Sequence, residues 1–399
     1  MKNNSLVIFA FIWLLSACSD HIPPPPLSGP WKAGSTTFEI SDSSRWLQVR
    51  AWYPSEQETE NKLLSSDEHS NSAFADSIDM PRFLMGGEDV SRSSFDVEIA
   101  AGKFPVLIFN HGLMSFARQN VTHFEQLASH GYIVLSVANP GVSMVVVRTN
   151  GEVIVADKNS PAYLALEKQK NGAKELAPAL VKDIESAKAA KDFTSFSESM
   201  AVLAKNPVFE PMTAVFESVY ANNVLLFSTL KKIQNGTLAT PIAGHLDLDN
   251  IGAFGHSFGS IMSGVLAMGD FGVKAAFGMD APQLNLAIIP YRQFDVPVCY
   301  VYADNVKFAD EILDTGFINK PLLKTNNSCE AVFKQSAHYN FTDLNLVTPL
   351  RFSPMLGKID NALMANNIEK LLLGFFDQHL KKKTSLSSLQ LDSVDLRIY

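Results

Sequence analysis

Gly255-His256-Ser257-Phe258-Gly259 closes the apolar run Ile251 to Phe254 and opens a helix-compatible stretch, Ser260 to Met268. Those are the surroundings of a Gly-x-Ser-x-Gly nucleophile elbow, in which a strand turns sharply into a helix and presents the serine hydroxyl above a sheet. The turn forces the serine backbone into a strained region, and a bulky Cβ at either flanking glycine would clash. A serine so placed can attack a carbonyl carbon. Its hydroxyl is a weak nucleophile at neutral pH, so Ser257 needs a base within hydrogen-bond reach and donors aimed at the developing oxyanion. A motif this short also occurs by chance. Its weight comes from the strand before it, the helix after it, and acid and histidine candidates that follow in the order Ser, Asp, His.

Of nine histidines, His21 and His69 lie in tether or loop segments, His123, His130 and His379 fall on helical patterns, His256 is the variable position of the elbow, and His245 precedes its strand. His111 and His338 remain, each just past a strand end. His338, in Ser336-Ala337-His338-Tyr339-Asn340-Phe341, follows the last expected sheet strand, where this architecture carries its base, and we take it as the base. His111-Gly112-Leu113 follows an earlier strand whose loop supplies an oxyanion N–H, so His111 reads as a loop-ordering residue. The backbone N–H groups of Leu113 and Phe258 are the expected oxyanion donors. The acid is ambiguous: Asp280 and Asp304 end successive strands, either can orient the imidazole, and pattern alone leans to Asp304.

These residues need a sheet to carry them. Leu47, Val49, Ala51 and Tyr53 alternate with Trp46, Gln48, Arg50 and Trp52 as an early strand ending at Pro54. Ser55 to Met80 reads as a polar surface loop. Val106 to Phe109, Ile133 to Ala138, Ile251 to Phe254, Val273 to Gly278, Val298 to Ala303 and Ala331 to Phe333 are short apolar runs, mostly without alternation, as suits strands buried on both faces of a parallel sheet. Helical patterns over Gln119 to His130, Met212 to Ile233, Ser260 to Met268 and Ile359 to Leu380 separate them, with Gly236 placed as a C′ residue. Alternating strands and helices predict one α/β domain over residues 31–399, built on a mostly parallel, doubly wound sheet. An insertion at about 142–206 interrupts the rhythm: a hairpin, Val145 to Val155, with an Asn150-Gly151 turn, then the charged, helix-prone Ala162 to Lys205. Such an insertion forms either a lid or substrate wall, or padding without a role.

The chain has 399 residues, 46% of them hydrophobic, enough for a large core, and a formal charge of −8. Its one basic cluster is Lys381-Lys382-Lys383, which reads as a solvated helix end; no basic stripe is present, which argues against a nucleic-acid partner.

The runs Asp249 to Gly259, Met279-Asp280-Ala281 and His338 to Asp343, with Asn110-His111-Gly112-Leu113 and Arg50-Ala51-Trp52-Tyr53-Pro54, resemble the platelet-activating factor acetylhydrolase family of the secreted and intracellular type II kind. The resemblance covers most of the chain from Trp46 onward. It implies an α/β-hydrolase fold, and it implies Asp280 as the acid, because in that family the acid follows the strand just after the nucleophile helix. It also implies esters with a short acyl group as substrates, phospholipids with an acetyl or short oxidised sn-2 chain among them. That chemistry calls for no metal or organic cofactor. Two departures stand out. Residues 142–206 match no family motif, which leaves substrate preference open, and Ser260 replaces the glycine usual after the elbow. The alternatives are a cutinase-like or general esterase with Asp304 as the acid, and a hydrolase fold that serves as an anchored binding scaffold.

The N-terminus adds a location. Lys2, the apolar stretch Leu6 to Leu15 and Ser16-Ala17-Cys18 have the layout of an export signal too short to span a bilayer. Leu15 to Cys18 resembles the bacterial lipoprotein signal, with cleavage after residue 17 and Cys18 lipidated; an ordinary signal peptide cut nearby is the alternative. Ser19, where an inner-membrane signal usually shows Asp, implies the outer membrane of a Gram-negative host, so the membrane surface is an expected partner. Residues 18–30, with Pro23 to Pro26, read as a stiff polyproline II tether that holds the domain off the bilayer, or as a plain leader. An exported location permits a Cys299–Cys329 disulfide, and two buried free thiols are the alternative.

Overall fold

A computed structural model describes residues 22–64, 72–73, 75–76, 81, 90–286, 288–304, 315–323, 327–346, 355–383 and 385–399. The export-signal reading, with Cys18, lies outside them. The described strands, in chain order, are β1 (Lys32–Ser41), β2 (Trp46–Ser55), β3 (Lys62–Leu64), β4 (Val90–Phe95), β5 (Phe104–Asn110), β6 (Ile133–Ala138), β7 (Val145–Val147), β8 (Val153–Val155), β9 (Leu246–His256), β10 (Val273–Met279), β11 (Val298–Ala303), β12 (Cys329–Phe333) and β13 (Val394–Ile398). The helices are α1 (Val121–Ser129), α2 (Pro161–Lys188), α3 (Phe193–Leu203), α4 (Glu210–Gln234), α5 (Phe258–Met268), α6 (Thr315–Asn319) and α7 (Asn361–Leu380).

Eleven strands form one sheet in the order β13-β12-β11-β10-β9-β5-β6-β2-β1-β4-β3. From β12 to β6 every pairing is parallel. β2 and β1 extend one side antiparallel, and β13 closes the other. The central strands are apolar throughout because both faces are covered: β5, β6 and β11 are buried at every position. Side chains alternate between the two covers. Val106 and Ile108 of β5 enter a core with α4 and α5, while Leu107 and Phe109 enter a second core with α1 and α7. In the second, Phe109, Phe124 and Phe254 meet with ring centroids 4.7–5.9 Å apart, directly behind the strand that leads to the elbow. This is the α/β-hydrolase fold.

The insertion is real structure. β7 and β8 pair antiparallel around a turn with Gly151 at φ 87°. Ser160 caps α2 by accepting the Tyr163 N–H, with Pro161 in its first turn, and Asp192 caps α3. Leu180, Ile184, Phe196, Met200 and Leu203 bury one side of this helical pair in the same core as α4.

Three expectations need correction. The Ser55 to Met80 loop carries β3, and the sheet extends beyond its expected members to β1, β4 and the edge strand β13. The proline-rich segment does not stand free as a spacer. Prolines lack an N–H, but their neighbours find partners on the body: Ile22 N–H donates to the Leu346 carbonyl at 2.8 Å, Ser28 N–H to Gln126 Oε1 at 3.1 Å, and Gly29 N–H to Ser129 Oγ at 3.2 Å. Arg92 also donates to the Pro25 carbonyl.

The cysteine alternatives resolve as well. Parallel register sets Cys299 of β11 against Cys329 of β12, and the two are joined by a disulfide.

Candidate active site

Ser257 sits between the end of β9 and the start of α5 with φ 55° and ψ −121°, a backbone region a non-glycine residue occupies only when its surroundings impose it. Its N–H donates to the Met279 carbonyl at 2.8 Å, which ties the elbow to the end of β10. Both glycines are required by close approach. A Cβ at Gly255 would lie 2.3 Å from the Gly259 carbonyl oxygen, and one at Gly259 only 1.8 Å from the Asn110 oxygen at the end of β5. Phe258 opens α5, so its N–H is among those a helix leaves without an internal acceptor.

The loop after β5 lies beside the elbow. Met114 takes φ 52° and Ser115 N–H closes onto the Gly112 carbonyl at 3.1 Å, a tight turn around Leu113. His111 is enclosed there. Its Nδ1 donates to the Gly112 carbonyl at 2.6 Å and its Nε2 accepts from Ser143 Oγ at 2.7 Å. Burial pushes its pKa down to about 4, so it stays neutral and orders the loop. Behind it, Asn110 and Asn223 of α4 exchange amide hydrogen bonds at 2.9 and 3.2 Å, pinning the end of β5 to the longest covering helix of that face after the insertion.

Asp280 follows β10 with φ 57°, a conformation aspartate tolerates better than most residues. Its side chain is 1% exposed; Oδ1 accepts the Ala303 N–H at 2.8 Å and Oδ2 lies 2.6 Å from His338 Nδ1. Asp304, one strand further on, is exposed and its Oδ2 accepts the Gln335 N–H at 2.7 Å. The imidazole thus meets Asp280, while Asp304 fixes a turn leading toward His338.

Ser257, Asp280, His338, Leu113 and Phe258 all line one cavity of about 590 Å³. The rest of its described wall is almost wholly apolar. Leu166 and Gln169 come from α2, Phe209 and Met212 from the start of α4, and Pro282, Leu284 and Leu286 from the segment after Asp280. Side chains of the inserted α2 therefore line the chamber in which the serine and histidine lie.

Sequence reasoning passed over two buried residues here, Gln119 and His256. His256 had been set aside as the variable position of the elbow, yet it is 1% exposed and hydrogen-bonded at both ring nitrogens.

A serine on a strained strand-to-helix turn, a buried carboxylate against an imidazole, and two backbone N–H groups beside one cavity form a set suited to acyl transfer. Residues 16–178 match the family model described as platelet-activating factor acetylhydrolase, isoform II. Over that stretch the chain is similar to the platelet-activating factor acetylhydrolase family. Its relatives include the platelet-activating factor acetylhydrolases of Cavia porcellus, 21% identical across 92% of this chain and 80% of that protein, and of Bos taurus, 20% identical across 89% and 77%. Among solved structures, the ferulic acid esterase from Streptomyces cinnamoneus superposes with a TM-score of 0.65 at 17% identity, over 95% of this chain and 99% of that one, a likeness of fold. The similarity to acetylhydrolases along most of the chain and the arrangement of the site together support a carboxylic ester hydrolase.

Proposed function

We propose that Ser257 attacks the carbonyl carbon of a carboxylic ester, with His338 as general base and Asp280 holding the imidazole. The observation that carries this reading is the 2.6 Å contact between His338 Nδ1 and the buried Asp280 Oδ2, at a cavity whose floor includes the elbow serine. A proton donated from Nδ1 to the carboxylate leaves Nε2 as the base, able to take the Ser257 proton and later give it to the leaving alcohol. The N–H groups of Leu113 and Phe258 then stabilise the tetrahedral oxyanion, and water repeats the sequence on the acyl-enzyme.

The substrates in this reading are esters with a short acyl group, including phospholipids of the 1-alkyl-2-acetylglycerophosphocholine type. A chamber of about 590 Å³ lies within the roughly 300–1,000 Å³ usual for whole small-molecule sites, so it holds more of an ester than the acetyl alone. Its apolar walls suit a hydrocarbon portion of the substrate. The reading also places the protein at the outer membrane through a lipidated Cys18, beside lipid esters. Hydrolysis of p-nitrophenyl acetate by the wild type and by Ser257→Ala is the test; equal rates defeat the assignment.

A further inference from the structure

Gln119 and His256 join the three loops of the site through one directed chain of hydrogen bonds. Gly112 N–H donates to Gln119 Oε1 at 2.8 Å. That bond fixes which way the amide faces, and so places its Nε2 donor 2.8 Å from His256 Nδ1. A ring nitrogen that accepts carries no proton, so the hydrogen of this imidazole is on Nε2, which lies 2.9 Å from the backbone carbonyl of His338 and donates to it. Both side chains are buried, at 5% and 1% exposure. Burial, then the neighbouring His338, hold the pKa of His256 well below its usual value, in keeping with a neutral ring of one tautomer.

The same segment grips the base loop further along. The Gln119 carbonyl accepts the Asp343 N–H at 3.0 Å, and Asn120 Nδ2 donates to the Phe341 carbonyl at 2.6 Å. The imidazoles of His256 and His338 stack obliquely with centroids 4.4 Å apart. A cation at position 256 would therefore oppose the imidazolium that His338 must become.

We propose that Gln119 and His256 are positioning residues that set the oxyanion loop, the elbow and the general base at fixed mutual distances, acting on His338 through its own carbonyl. The inference rests on the esterase reading for its consequence, but its geometry can be tested apart from turnover. A displacement of about 1 Å at reacting groups can cost on the order of 10²-fold in rate, which sets the expected size of the effect.

The experiment combines histidine side-chain NMR of the wild-type chain with kinetics of Gln119→Leu, His256→Leu and His256→Gln. The expected spectrum shows His256 as the neutral Nε2–H tautomer from pH 6 to pH 8, whether or not the protein turns over substrate. An Nδ1–H tautomer or an imidazolium at pH 7 overturns the proposal. In kinetics, Gln119→Leu and His256→Leu lower kcat by about 30- to 100-fold with KM nearly unchanged. His256→Gln, whose amide can both accept from Gln119 and donate to His338, recovers most of the loss. Folded Leu variants with the wild-type kcat overturn the proposal, as does a Gln variant no better than Leu. A wild type without Ser257-dependent turnover would defeat the esterase reading instead, and the tautomer would still decide the hydrogen-bond chain.

Discussion

The carboxylate of Asp280 is held at both oxygens, Oδ1 by the Ala303 N–H at 2.8 Å and Oδ2 against His338 Nδ1 at 2.6 Å. It cannot rotate without breaking one of these bonds, so it selects one tautomer of the imidazole. Asp280→Asn offers an amide that can turn its donor to Nδ1 and leave Nε2 protonated, and kcat on p-nitrophenyl acetate should drop by about 10⁴-fold. Asp304→Asn removes only the acceptor of the Gln335 N–H and should keep nearly the wild-type rate. A reversal of the two outcomes would move the acid to Asp304.

Leu166 of α2 and Met212 of α4 face the same chamber as Ser257. Leu166→Trp or Met212→Trp should shorten the longest ester accommodated while sparing the smallest. The ratio of octanoate to acetate hydrolysis, measured on p-nitrophenyl esters, should fall by roughly tenfold. An unchanged ratio in both variants would assign the inserted helix to packing alone.

Glu369 of α7 is 5% exposed, and its Oε1 has no hydrogen-bond partner. Burial raises its pKa from 4.5 to about 8, with Arg92 partly opposing the shift. The folded chain therefore keeps a proton that the unfolded chain releases, and stability present below pH 4.5 is lost as pH rises through 8. Buried Asp343, whose pKa burial raises to about 7, adds to the same decline. Urea unfolding should show stability falling between pH 5 and pH 8, on the order of 2–4 kcal/mol, and Glu369→Gln should make that fall shallower without abolishing it. Equal slopes in the two proteins would show that another group carries the dependence.

Cys299 and Cys329 stand opposite each other on adjacent parallel strands and close a loop 30 residues apart in sequence. A crosslink of that span restricts the unfolded chain, so the Cys299→Ala/Cys329→Ala double variant should lose about 2–4 kcal/mol. Calorimetry of the oxidised wild type against this variant measures it. No difference in Tm would mean that packing between β11 and β12 already supplies what the bond does.

Much of the site was legible because its demands are local. The elbow needs glycine at 255 and 259 for contacts with the Asn110 carbonyl and its own turn, and the parallel strands announce themselves as apolar runs since both faces are covered. The edges were less legible. β1, KAGSTTFEIS, has small polar residues in place of an apolar run, and β13 at the sheet's edge is short and largely exposed. Pattern leaned to Asp304 over Asp280, since both end strands, and only the family resemblance favoured Asp280; what separates them is the backbone turn at Asp280 and the Gln335 N–H waiting for Asp304, both products of tertiary structure. The partnership of Gln119 with His256 spans 137 positions and leaves no periodic trace.

The docked N-terminal arm has a consequence for how substrate arrives. Ile22 is bonded to Leu346, four residues past Thr342 and close in sequence to the base loop, and only three residues separate it from Cys18. A lipid carried at Cys18 would be tied to the body by no more than the reach of four residues, roughly 15 Å at about 3.6 Å per residue. So short a leash would hold the segment that bears Leu346, eight residues past His338 in sequence, next to the leaflet from which a lipid ester comes.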